Sequence, residues 1–323
     1  MRKVIALFLA TICIVTVWIE EAKAMFKPSK FTIVAVGEQG ELLSGVRVGV
    51  GFEKNKGWGT DSFGQQGVTG PDGKLTFSGQ SNGHITYGGR KDGYYDSYYD
   101  YDFNDFGTFG WKPWNPELKV VMRKIENPAP MYARDTNIEI PIVGKDVGFD
   151  LIAFDWVVPY GKGKHSDFIF CLERRFADRS NFEAKLTMKF SNKHDGVQQY
   201  RQKLENGSQF KLPRFAPEVG YESQLLLREW RNPGESKLNR NFNFYAVDLN
   251  YLFRVRSRQK DDDRVEAIYG KILGPLSFDP VFSNTAKIYF KYYLNPDYTR
   301  NLEFDPKRNL FGTLPDLEQV NEP

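Results

Sequence analysis

Between Gly37 and Gly93 the chain places 16 glycines in 57 residues, and no other stretch limits its fold so strongly. Each glycine costs a helix interior about 1 kcal/mol relative to alanine. No helix of ordinary length fits between them, which leaves short strands joined by tight turns. Phe31 to Val36 is apolar and rich in β-branched residues. After a turn at Glu38-Gln39-Gly40-Glu41, Val46, Val48, Val50 and Phe52 alternate with Arg47, Gly49, Gly51 and Glu53. A period of two with one apolar side marks a half-buried strand. Gly70-Pro71-Asp72-Gly73 has Pro and Gly where a type I turn favours them; Lys74 to Phe77 restarts a strand, and Leu118 to Ile125 supplies a later one.

Four segments in this order carry a resemblance: Gly40-Glu41-Leu42-Leu43-Ser44-Gly45-Val46-Arg47-Val48, Thr60-Asp61-Ser62-Phe63-Gly64, Val68-Thr69-Gly70-Pro71-Asp72-Gly73-Lys74-Leu75-Thr76-Phe77, and Lys91-Asp92-Gly93-Tyr94-Tyr95. Together they resemble a carboxypeptidase-regulatory-like domain over residues 30–125. The resemblance implies a transthyretin-like (prealbumin-like) β-sandwich, commonly a non-catalytic accessory module of exported proteins. It implies no catalytic residue. The sequence leaves the pattern after Tyr95, where an aromatic and acidic insertion precedes the last strand.

The expected fold class is all-β, with this sandwich at residues 25–125, a linker at 126–135 marked by Pro128 and Pro130, and a larger antiparallel sandwich or jelly-roll at 136–312. In that second part Phe182, Ala184, Leu186, Met188 and Phe190 alternate with Glu183, Lys185, Thr187 and Lys189. Leu151 to Val158, Phe168 to Phe176, Phe242 to Val255 and Lys287 to Leu294 read as further strands. Tyr221 to Trp230 is the best candidate for a short helix, and residues 313–323 read as a loosely held tail.

Arg2 and Lys3, an apolar run from Val4 to Ile19 and the small residues of Ala22-Lys23-Ala24 have the layout of a secretory signal cleaved after Ala24. A retained anchor is the alternative reading of the same segment. Cleavage leaves 41 of the 44 Lys and Arg, 39 of the 41 Asp and Glu, and one of the two cysteines, Cys171. The mature chain has no internal disulfide and is not expected to span a membrane. Its location is periplasmic, cell-surface or secreted. So balanced a charge disfavours nucleic acid as a partner.

Asp92 to Trp114 holds ten aromatic residues and five aspartates in 23 positions. Rings stack on sugar faces and carboxylates accept hydroxyl hydrogen bonds, so Tyr98, Tyr99, Tyr101, Trp111 and Trp114 are the candidate surface for a glycan or an envelope protein. The competing reading is that these rings cover one end of the sandwich while the aspartates solvate a loop. Asp100, Asp102 and Asn104 have the one, three, five spacing of a calcium loop, but Asp105 stands where Gly is needed and Trp111 where Glu is needed. A calcium site of another kind, with Asp96 and Asp105 as further ligands, stays open; no other cofactor is expected.

No catalytic set is complete. His84, His165 and His194 lie far apart in sequence, Gly161-Lys162-Gly163-Lys164-His165-Ser166 lacks the spacing of a phosphate loop, and Cys171 within Phe168 to Leu172 reads as a small packed hydrophobe. The run from Arg254 through Lys260 to Asp261-Asp262-Asp263 reads as a solvated hairpin tip. The sequence therefore points to an exported, non-enzymatic binding or assembly protein. The alternative is a glycan- or peptide-directed hydrolase whose paired carboxylates come from acids such as Asp150, Asp155 and Glu173 in the second domain.

Overall fold

The computed structural model describes residues 27–56, 59–202, 207–243, 245–246, 248–260, 265–282 and 284–323. The signal segment and the three aspartates at 261–263 lie outside them. The chain is all-β, and its described residues divide into two units, 27–126 with 207–211 and 127–202 with 212–323.

In the first unit the valine alternation does what its period demands. The strands are β1 (Lys27–Gly37), β2 (Arg47–Lys56), β3 (Gly59–Val68), β4 (Lys74–Ser81), β5 (His84–Arg90), β6 (Tyr94–Tyr95), β7 (Ser97–Asp102), β8 (Asp105–Phe106), β9 (Trp111–Lys112) and β10 (Glu117–Lys124). They form one sheet in the order β4-β1-β10-β6 and a second in the order β3-β2-β5-β7, with β8 and β9 as a separate ribbon. β1 and β10 run parallel, whereas the other ladders are antiparallel. The two four-stranded sheets form a β-sandwich. Val46, Val48, Val50 and Phe52 meet Phe31, Ile33, Ile85, Val120 and Met122 in its core. Each such side chain contributes roughly 1.5–3 kcal/mol of burial free energy.

The insertion after Tyr95 is not a loop outside the sandwich, because β7 within it is the edge strand of the second sheet, bonded to β5. On its other side, Tyr98 N donates to Gly207 O and Gln209 N to Asp96 O, at 2.9 Å each. Phe210 is fully buried, 5.4 Å from the Tyr95 ring and 4.3 Å from the Arg123 guanidinium, which also donates to the Phe210 carbonyl at 2.7 Å. Nothing in the sequence signals that residues 207–211 complete the first unit.

The second unit contains β11 (Ala129–Glu139), β12 (Asp146–Asp150), β13 (Asp155–Trp156), β14 (Phe168–Asp178), β15 (Asn181–Lys189), β16 (Gly196–Arg201), β17 (Gln224–Arg231), β18 (Asn239–Arg240), β19 (Leu249–Gln259), β20 (Val265–Asp279), β21 (Lys287–Asn295) and β22 (Phe304–Asn309). Two six-stranded sheets result, β16-β19-β20-β21-β11-β22 and β13-β12-β14-β15-β17-β18. Their core is aromatic: Phe168 lies within about 6 Å of Phe170, Phe190, Phe253 and Phe290.

Several expectations are corrected here. Residues 129–135 are not a linker but part of β11, whose pairing with β22 shifts register between Ala129 and Met131, so Pro130 falls at a bulge, where a missing N–H is tolerated. Tyr221 to Trp230 is not a helix: Gln224–Arg231 pairs with β15 over eight positions, and the ladder overrides a weak helical preference. The Leu151 to Val158 strand is interrupted by a turn between β12 and β13, and the Phe242 to Val255 strand starts only at Leu249. The C-terminal residues are packed: Val320 is buried with Met131, Tyr293 and Phe304, and Glu318 pairs with Arg134.

Candidate functional site

Because β2 and β5 turn Val48, Val50, Phe52, Ile85 and Tyr87 into the core, the alternate residues of these strands and of their neighbours β3 and β7 form the outer face of that sheet. Two cross-strand rows lie side by side there. One is Gln66, Gly49, Gly88 and Tyr98; the next is Gly64, Gly51, Thr86 and Asp100. The middle of both rows is glycine or threonine, so the sheet surface is nearly bare between taller flanks. The result is a trough of about 580 Å³. At one end Arg47 and Arg90 are cross-strand partners. Arg90 Nε lies 2.7 Å from Asp96, and its Nη2 donates at 2.9 Å to the Tyr98 hydroxyl, which in turn donates to Asp96 at 3.1 Å. This triangle fixes the half-exposed Tyr98 ring as one wall. The Arg47 side chain is exposed and makes no ion pair or hydrogen bond among the described residues.

Gly49 explains why the trough exists. A β-carbon there would meet nothing within 4 Å, and its backbone is in the ordinary extended region. Neither a turn nor a neighbour within the chain requires glycine at this strand-interior position, where it weakens the strand. Gly83 differs, since its φ is +100° and a β-carbon would come within 2.9 Å of the Trp111 ring.

The predicted aromatic surface is divided by strand parity. Tyr98 (50% exposed) and Trp114 (55%) reach solvent, as does Phe109 (88%) at the turn between β8 and β9. Tyr99, Tyr101 and Trp111 face inward and pack against the core. Tyr99 stacks on Tyr87 at 5.3 Å and accepts a hydrogen bond from Val121 N, and Trp111 Nε1 donates to Ser81 O at 2.9 Å. Sequence reasoning misses the trough residues Arg47, Gly49, Gly64, Gln66 and Thr86. Their only sequence signal is glycine on the polar side of an alternating strand.

The predicted calcium ligands are separated too. Asp96 is held by Arg90, Asp105 accepts the Phe106 N–H at 2.7 Å, and Asn104 is exposed. Asp100 and Asp102 flank His84, with Nδ1 2.7 Å from Asp102 and Nε2 3.9 Å from Asp100. Among the described residues no three His, Cys, Asp or Glu side chains are grouped to hold a metal ion. The hydrogen bond to Asp102 raises the His84 pKa above its ordinary value, against a smaller opposing effect of burial. A raised histidine contributes stability that is complete below its unfolded pKa and is lost as pH rises through the folded one. NMR titration is expected to place His84 above 6.5, and Asp102→Asn to return it toward that value. An unshifted His84 in the unmodified protein would contradict the contact.

In the second unit the candidate carboxylates are committed to structure. Asp150 Oδ1 accepts from Ile152 N and Ala153 N, and Oδ2 from Lys164 N and His165 N, all at 3.0 Å. Arg256 Nη2 reaches Asp150 at 3.0 Å and Asp167 at 2.8 Å, while its Nε donates to Asp167 at 2.7 Å. Burial would raise the Asp150 pKa, but these N–H groups and the guanidinium hold it below the ordinary value; at Asp167 burial prevails and the pKa is raised. Asp155 takes the Trp156 and Lys162 N–H groups at 2.8 Å each, and exposed Glu173 lies 3.7 Å from Lys185. Paired-carboxylate hydrolysis needs oxygens turned toward a substrate; those of Asp150 and Asp155 are turned into their own loops. Burial and the Asp146 carboxylate raise the half-buried Cys171 thiol, the opposite of what a nucleophile requires.

No protein-family model matches the chain, and no curated protein matches it. Among solved structures it is similar to a streptococcal ancillary pilin, at 10% identity and TM-score 0.23, over 66% of this chain and 57% of that one. It is also similar to BcpA, the major pilin subunit of Bacillus cereus, at 9% identity and TM-score 0.24, over 75% of this chain and 67% of that one. The chain thus spans little more than half the length of the streptococcal pilin. Likenesses this faint carry nothing about ligand or assembly. No helix among the described residues is long and apolar enough to cross a membrane.

Proposed function

We propose that this chain is an exported, non-enzymatic binding protein of the cell envelope or exterior, and that it takes its ligand in the trough on the outer face of β3, β2, β5 and β7. The observation that carries the reading is Gly49, a strand-interior glycine with open space where a side chain would be. The register runs unbroken through Gly49, so no bulge accounts for it, and the bare backbone leaves room for close approach of a ligand or another backbone. The signal-like N-terminus supports export, and the accessory-module resemblance of residues 30–125 supports binding over catalysis. The engaged carboxylates of Asp150 and Asp155 and the raised Cys171 thiol support the same choice.

Backbone hydrogen exchange in the presence of soluble envelope fragments tests this. Slowed exchange is expected across 47–51, 64–66, 86–90 and 98–100, the segments that line the trough. Slowing confined to other strands would overturn the assignment.

A further inference from the structure

We infer that the trough's ligand is an acidic saccharide, a chain of hydroxylated rings with a carboxylate or sulfate group at one end. The inference rests on the trough being the ligand site, as proposed above. The trough lies on the face of a sheet, and along it the backbone N–H and C=O groups of β2 and β5 are used in ladders on both sides. A peptide read through its main chain needs a free strand edge, which a sheet face does not offer. What the trough presents instead is side chains: the Gln66 amide, the Thr86 hydroxyl, the Asp100 carboxylate and the Tyr98 ring. Amide, hydroxyl and carboxylate suit hydroxyl groups, and a fixed tyrosine ring suits the apolar face of a sugar.

The charge arrangement supplies the sign. Arg47 and Arg90 stand side by side at one end, and Arg47 has no partner among the described residues. Arg90 remains largely exposed although it is fixed by Asp96 and Tyr98. Guanidinium forks match the two-oxygen geometry of carboxylate and sulfate groups. Asp100 at the other end opposes a uniformly anionic track, and two arginines do not make the phosphate-neutralising surface a nucleic acid requires. A ligand with an acidic group at one end and neutral hydroxyls along its length fits both ends.

The test is calorimetric titration of the full chain with a short neutral oligosaccharide ending in a uronate, the same oligosaccharide ending in a sulfated ring, its wholly neutral counterpart of equal length and a glutamate oligopeptide. Either acidic saccharide is expected to bind, and the one that binds identifies the anion. Added salt is expected to weaken that binding, Arg47→Gln to weaken it by about tenfold or more, and Gly49→Trp to abolish it. Equal binding of the neutral saccharide, preference for the peptide, or binding of no acidic saccharide would overturn the inference. The two proposals fail separately: if envelope fragments still protect the trough, only the saccharide class is wrong, whereas protection elsewhere removes both.

Discussion

Replacing Arg256 with alanine is expected to cost the second unit about 3–5 kcal/mol at neutral pH, because it leaves two buried carboxylates without their shared cation. Asp150 and Asp167 are 3% and 2% exposed, and Arg256 bonds to both. The same residue sits at a bulge in β19, with φ of 54°, where its N–H donates to Asp195 at 3.1 Å. One side chain thus ties the loop of residues 151–167 to β19. The loss has a defined pH dependence. Asp167 already has a raised pKa through burial, which Arg256 opposes, and removing the arginine raises it further. A carboxyl with a raised folded pKa loses stability as pH rises from its unfolded to its folded value, so the deficit narrows on acidification. Denaturant unfolding at about pH 5 and about pH 8 is expected to show the larger deficit at the higher pH. A deficit below about 1 kcal/mol, or one independent of pH, would show that the cluster is solvated and the arginine peripheral.

That cluster also shows where sequence reasoning reaches its limit. Arg254 to Lys260 reads as a solvated charge run, and Arg258, Gln259 and Lys260 are exposed as expected. Arg256 is drawn inward only because a bulge changes its strand parity and because Asp150 and Asp167, about a hundred positions earlier, lie opposite. No local pattern encodes such a meeting. Period-two alternation is local, which is why β2, β15 and β21 are legible while residues 207–211, whose partners are Asp96, Tyr98 and Arg123, are not. The aromatic insertion was legible as a distinctive segment. Its division into inward Tyr99 and Tyr101 and outward Tyr98 follows from parity once β7 is known to be a strand rather than a loop. The trough was hidden for a related reason: glycine on the polar side of a strand looks like an omission until Gly88 and Gly64, on the two adjacent strands, prove to lie beside Gly49 and Gly51.

The second large effect concerns that omission. Gly49→Trp is expected to fold, since a β-carbon there meets nothing within 4 Å, the backbone is already extended, and the indole can lie in the open trough. Replacing a strand glycine with a β-favouring residue is worth up to about 1 kcal/mol in stability. The indole would at the same time occupy the floor of a 580 Å³ cavity, between Gln66 and Gly88. Stability and binding should therefore move in opposite directions, which separates a ligand site from a structural feature. The decisive measurement is the affinity of the wild-type chain and of Gly49→Trp for the same ligand, with unfolding curves recorded on both. Unchanged or raised stability together with affinity reduced by about a hundredfold or more is the predicted result, equivalent to roughly 2.7 kcal/mol of lost contact. Equal affinity in a folded Gly49→Trp protein would contradict the account.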